Sequence, residues 1–275
     1  MKRSKTTAMV MSLALVGSVA ASSLYAENTS SGTRQGTITR NGQTVNYSSD
    51  WSQDANGHNR SATVNGSDGR SVTAGNKSQD GVRTSGVTAK GYNGTVTAGS
   101  DWNRQTNSGS QGVNVNGADG RSVTAGNKSQ DGVRTSGVTA KGYNGTVTAG
   151  SDWNRETNSG RHGITVDGAD GRGVTLGSSV NNGVRNSGVT VKGYNGTVTT
   201  GSDWNRETRS GSHGVTVNGA DGRSVNLNSS RVKNDNGLTT TRSITGSNGS
   251  SLTRQSTWSR QGGSLNHSVS RSFNR

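Results

Sequence analysis

The chain has 275 residues, of which 43 are glycine, none is proline or cysteine, and only 25% are hydrophobic. Its 30 lysines and arginines outnumber 16 aspartates and glutamates, giving a formal net charge of +14. Against a usual apolar share of roughly 45–50%, this composition excludes a thick globular core, and the lack of cysteine excludes a disulfide framework and thiolate zinc clusters.

The N-terminus reads as a secretory signal peptide. Lys2, Arg3 and Lys5 form a basic start, residues 8–19 are mostly apolar, and Leu24, Tyr25 and Ala26 lead to a cleavage point before Glu27. Removal of residues 1–26 takes the formal charge from +14 to +11. The apolar run is too short for a membrane span, so a secreted or cell-surface protein is expected, with the periplasm as a further location.

Residues 27–65 hold a divergent first repeat that reads as an N-terminal cap, with Tyr47, Asp50 and Trp51 standing where later copies carry their own Asp-Trp pair. A tandem array follows over 66–243. Residues 68–104 recur unchanged at 119–155, and Trp51, Trp102, Trp153 and Trp204 are spaced 51 apart. Residues 244–275, with Trp258, diverge again and read as a C-terminal cap, as the ends of a repeat stack require.

Each 51-residue unit divides into two halves of about 25 residues, and each half into two short runs. Turn signals fall at residues 116–120, 130–132, 142–145 and 158–160, where Asn-Gly, Asp-Gly and Ser-Gly pairs supply the positive φ of tight turns. Between them, valines alternate with polar residues, which is the two-residue period of a strand. No run has a 3.6-residue period, and glycine interrupts every window long enough for a helix. The absence of proline also suits a continuous hydrogen-bonded ladder better than a disordered linker.

The expected fold is therefore all-β, with about four strands of eight or nine residues per repeat. Two architectures fit. An elongated antiparallel meander advances one strand at a time, about 19 Å per unit, while a β-solenoid stacks each half as one coil in parallel register. The hairpin-forming Asn-Gly and Asp-Gly pairs favour the meander, with the solenoid as the alternative. Parity puts Val96, Ala98, Ser100, Trp102 and Arg104 on one face, and Thr97, Asp101 and Asn103 on the other.

No residue set suggests catalysis, so a non-enzymatic protein without metal or cofactor is expected. His162 and His213 occupy equivalent positions without a recurrent acid or nucleophile beside them, and Asp68, Asp119, Asp170 and Asp221 sit in Asp-Gly turns, each with an arginine two residues on. Turn chemistry accounts for these aspartates more simply than calcium does. The positive charge points instead to polyanions, such as acidic polysaccharide or extracellular DNA. The recurrent Trp-Asn-Arg supplies candidate binding residues in Trp102 and Arg104, Trp153 and Arg155, and Trp204 and Arg206, an aromatic face beside a cation. The same tryptophan also serves as the packing centre of its face.

Thr95, Thr97, Thr146, Thr148, Thr197, Thr199 and Thr200 recur in Thr-Val-Thr motifs, and this resembles the threonine arrays of β-solenoid ice-binding proteins. Glycines and asparagines between the motifs are expected to break a continuous threonine ladder. In its signal peptide, its lack of proline and cysteine and its Gly, Asn and Ser-rich repeats, the chain also resembles curli-type amyloid subunits, which implies self-assembly through sheet edges. It departs from that family in lacking evenly spaced Gln and Asn ladder residues, since Gln79 and Gln130 do not recur. The resulting expectation is a secreted structural or adhesive protein of the bacterial cell surface or extracellular matrix. A polyanion-binding module is the alternative, and an ice-binding protein a minor one.

Overall fold

A computed structural model describes residues 31–235, 237–261 and 263–275. The proposed signal peptide lies outside them. Nineteen strands of nine to twelve residues follow one another in chain order, and no helix interrupts them among the described residues. They fall into two units that meet in sequence between Gly142 and Tyr143.

In the first unit the strands are β1 (Ser31–Arg40), β2 (Gln43–Asp54), β3 (Gly57–Gly66), β4 (Ser71–Gln79), β5 (Val82–Gly91), β6 (Gly94–Asn103), β7 (Ser108–Gly117), β8 (Ser122–Gln130) and β9 (Val133–Gly142). The second unit holds β10 (Gly145–Asn154), β11 (Ser159–Gly168), β12 (Gly173–Asn181), β13 (Val184–Gly193), β14 (Gly196–Asn205), β15 (Ser210–Gly219), β16 (Ser224–Asn234), β17 (Gly237–Gly246), β18 (Ser251–Gln261) and β19 (Ser264–Asn274). Within each unit every strand pairs antiparallel with the next. The fold is the antiparallel meander, and the solenoid is excluded: Asp101 stands opposite Ser110 of the next strand, in a hairpin and not a coil.

The turns explain the connectivity. Asn41-Gly42, Asp80-Gly81, Asp131-Gly132 and Asn182-Gly183 each place both residues at positive φ, between 46° and 81°. This is the mirror-image two-residue turn whose twist matches that of a hairpin. One turn differs from expectation. Ser159 and Gly160 are strand residues, and the reversal lies at residues 155–158, closing on Asn158 at φ 48°. Asn154 caps it, its Oδ1 accepting from the backbone N–H of Glu156 at 2.9 Å and Thr157 at 3.2 Å.

Register sorts the side chains into rows, because opposed residues share a face and neighbours along a strand alternate. In the second unit one row runs Val147, Val166, Val174, Val191, Val198, Val217 and Val225. A parallel row beside it carries Ala149, Ile164, Leu176, Val189, Thr200 and Val215. The opposite face has a threonine row, Thr148, Thr165, Thr175, Thr190, Thr199 and Thr216, and next to it a glycine row, Gly150, Gly163, Gly177, Gly188, Gly201 and Gly214. The first unit repeats both faces, with Thr63, Thr73, Thr88, Thr97, Asn114, Thr124 and Thr139 in one row.

Burial is sparse in both units. Among the described residues of the second unit none is buried. The first unit buries Ala62, Val64, Val72 and Ser49, with Val45, Tyr47, Ala74, Val87 and Ala89 packed around the two valines. The repeat equivalents of Val64 are open: Val115 is 37% and Val217 40% exposed, against 4%.

Candidate functional site

Three structural duties account for the Trp-Asn-Arg motif. Trp102 ends the apolar face of β6, and its register partner on β7 is Gly109. A Cβ built at Gly109 would lie 2.7 Å from Trp102 Cε3, and one at Gly160 would lie 2.6 Å from Trp153 Cε3. The indole therefore covers the backbone of the following strand at a place only glycine permits. Gly211 stands under Trp204 in the same way.

Asn103 and Asn205 cap their turns as Asn154 does, accepting from the N–H groups of Gln105 and Glu207 at 2.9 Å. Arg104, Arg155 and Arg206 each open a four-residue turn just past the strand. Their backbones tie neighbouring turns together: the N–H of Arg104 donates to the Gly81 carbonyl at 3.0 Å, and that of Arg206 to Gly183 at 3.2 Å.

Trp102 and Trp204 each have an arginine opposite them on the same face, supplied by the preceding strand. Arg83 of β5 faces Trp102, and Arg185 of β13 faces Trp204. The tryptophans are about two-fifths exposed, Trp102 and Trp153 at 40% and Trp204 at 42%. At the C-terminal end the pattern changes, and Trp258 stacks on His267 with ring centroids 3.9 Å apart.

Charge is divided unequally between the faces. Every carboxylate carried on a strand, Asp50, Asp54, Asp101, Asp152, Asp167 and Asp203, shares parity with the threonine row. Among the described residues the strands' tryptophan face holds none, and its charged residues, including Arg60, Arg83, Arg134, Arg185 and Arg231, are all basic. On the threonine face the acids find local partners. Asp152 accepts from Arg161 Nε at 2.7 Å, while Asp101 and Asp203 accept from the hydroxyls of Ser110 and Ser212.

The Asp-Gly-Arg turns close on themselves. Asp170 Oδ1 accepts from the Arg172 backbone N–H at 3.0 Å and Oδ2 from Arg172 Nε at 2.6 Å; Asp68 with Arg70 and Asp119 with Arg121 repeat this clip. Arg172 also lies 4.9 Å from the Tyr194 ring centroid, and the Tyr194 hydroxyl donates to Asp170 Oδ2 at 3.1 Å. The Arg172 side chain above all, then its backbone N–H and Tyr194, holds the Asp170 carboxyl down at about 2. Arg70 likewise lowers Asp68. Among the described residues no group of three or more His, Cys, Asp or Glu side chains is arranged to hold a metal ion, and no helix is long and apolar enough to cross a membrane.

Glycines do not break the threonine ladder as expected, because they occupy their own row; on β3 to β9 and β10 to β17 Asn114 and Asn226 substitute within it, and at its ends Ser48 and Ser251 do. Thr95, Thr146 and Thr197 belong to a different row of that face, and Thr200 lies on the tryptophan face between Val189 and Val215. No family model, curated protein or solved structure matches the chain.

Proposed function

We propose that this is a secreted, non-enzymatic β-repeat protein with a structural or adhesive role at the bacterial cell surface or in the extracellular matrix. One observation carries the reading: the strands present the same exposed side chains once every 51 residues, as with Trp102, Trp153 and Trp204. Such a surface suits many weak, identical contacts whose effect multiplies along the array. The edge strands β1 and β19 add unpaired backbone for self-assembly. Deleting residues 119–169 removes one repeat in register. The β-signal per residue in circular dichroism is expected to stay constant while retention on a cell surface falls by more than the lost fraction of chain; unchanged retention would contradict the reading.

Polyanion binding is the second reading, favoured by the arginines that stand opposite Trp102 and Trp204. Arg104, Arg155 and Arg206 lie within the same strand-end region as their tryptophans and add to its charge. Binding of acidic polysaccharide or DNA should weaken steeply with salt and fall when Trp102, Trp153 and Trp204 are changed to Ala. The long threonine rows support an ice-binding surface on the other face, for which thermal hysteresis is the test.

A further inference from the structure

We infer that the tryptophan face docks on an anionic lipid surface, its valine rows entering the interface and its arginines meeting the headgroup phosphates. This rests on the adhesive reading and gives it a ligand. One apolar row runs unbroken through β10 to β16, and the row beside it, interrupted only by Thr200, continues through Leu227, Ile244 and Leu252 to Phe273 of β19; their members lie open, Ile164 at 46%, Leu176 at 40% and Val217 at 40%. An apolar face of this kind needs an occupant that is itself apolar.

Charge selects which one. A second copy laid face to face would bring only basic groups against basic groups; among the described residues the strands supply no acid on this side. An amphiphile with anionic heads and acyl tails satisfies both features at once. Trp153 and Trp204, amphipathic rings at the strand ends, the second opposite Arg185, match the composition of a membrane interface, where tryptophan lies at headgroup level. Because strands β11 to β18 are each hydrogen-bonded on both sides, the interior of the face brings no unpaired backbone with it.

The size is sufficient. Ten strands of the second unit, at ~4.8 Å spacing, and a six-residue span from valine to tryptophan give roughly 900 Å², above the ~800 Å² per partner of a standard stable interface. Insertion by about 5–10 Å, the depth of an amphipathic element in the interface, immerses the valines and leaves the threonine face in water.

The experiment is flotation of residues 27–275 with phosphatidylcholine vesicles and with equal mixtures of phosphatidylcholine and phosphatidylglycerol, at low and high salt. Two quadruple variants each remove four positive charges. One, R83Q/R134Q/R185Q/R231Q, strips the tryptophan face; the other, K77Q/K90Q/K128Q/K141Q, strips the threonine face. A third, V189T/V215T/V217T, keeps β-branched residues but makes the rows polar. Binding only to the anionic vesicles is expected, weakened at least tenfold by the arginine and valine variants and less than threefold by the lysine variant. Equal loss in both charge variants, or equal binding to neutral vesicles, overturns the inference. Association of copies without vesicle binding overturns it too and leaves the structural reading standing; binding to acidic polysaccharide but not vesicles overturns it and leaves the polyanion reading.

Discussion

Two sets of glycines, one on each face of the sheet, have opposite surroundings. On the tryptophan face, Gly109, Gly160 and Gly211 lie beneath indole rings, where a side chain has no room. On the threonine face, Gly86, Gly177 and Gly201 form part of a continuous row, and a Cβ there would meet only a carbonyl oxygen at 3.5 to 3.6 Å, which is ordinary contact. The first set is required by packing within the chain. The second is not, and Ser61 and Asn228 already stand in that row at its ends. At Gly109, Gly160 and Gly211, then, glycine is dictated by what the chain itself places above the backbone, and at Gly86, Gly177 and Gly201 it is not.

The largest effect is expected from Gly160→Val. It drives a branched side chain into the Trp153 ring and should cost about 3 kcal/mol in urea unfolding. Trp204→Ala removes the ring and leaves Gly211 uncovered; with the indole two-fifths exposed, a loss of about 1 to 2 kcal/mol is expected by the same assay. Gly177→Ala on the threonine face should instead stabilise by about 0.5 kcal/mol, since alanine has less chain entropy to lose. If the two glycine substitutions gave the same sign, the contrast between faces would be wrong.

The margin outside both faces should respond to acid without affecting either. Asp170 lies below its ordinary value of 3.8, at about 2, so the Asp170–Arg172 clip contributes above pH 4 and is lost as pH falls through 2. An NMR titration should show its carboxyl changing near pH 2, and Arg172→Gln should return that midpoint toward the ordinary range. Both groups are exposed, so little change in overall stability is expected.

Several of these features are legible in the sequence because they are local. Asn-Gly and Asp-Gly announce their own turns, alternation announces strands, and the parity of Val96, Ala98 and Trp102 is kept in the folded sheet. What needs register is hidden. The threonine row draws on Thr63, Thr73, Thr88, Thr97 and Asn114, at unequal intervals of 10, 15, 9 and 17 residues, because each hairpin reverses the direction of counting. The same reversal sets Arg83, 19 residues before Trp102, opposite the indole, while Arg104, two residues after it, belongs to a turn. Gly160 reads as a turn residue from its Asn-Ser-Gly setting, and only the neighbouring strand shows that it lies under Trp153.

The central claim is that the apolar rows of the second unit are left uncovered by the chain's own strands while belonging to a different face from the threonines. Thr175 and Leu176 are adjacent on β12 and point to opposite faces. Because the protein has no cysteine, Thr175→Cys and Leu176→Cys can each be labelled singly with a maleimide. The account predicts that both thiols react readily in dilute solution and that anionic vesicles protect only the thiol at 176. Protection at 176 in dilute solution without vesicles, or equal protection of both thiols with them, would contradict it.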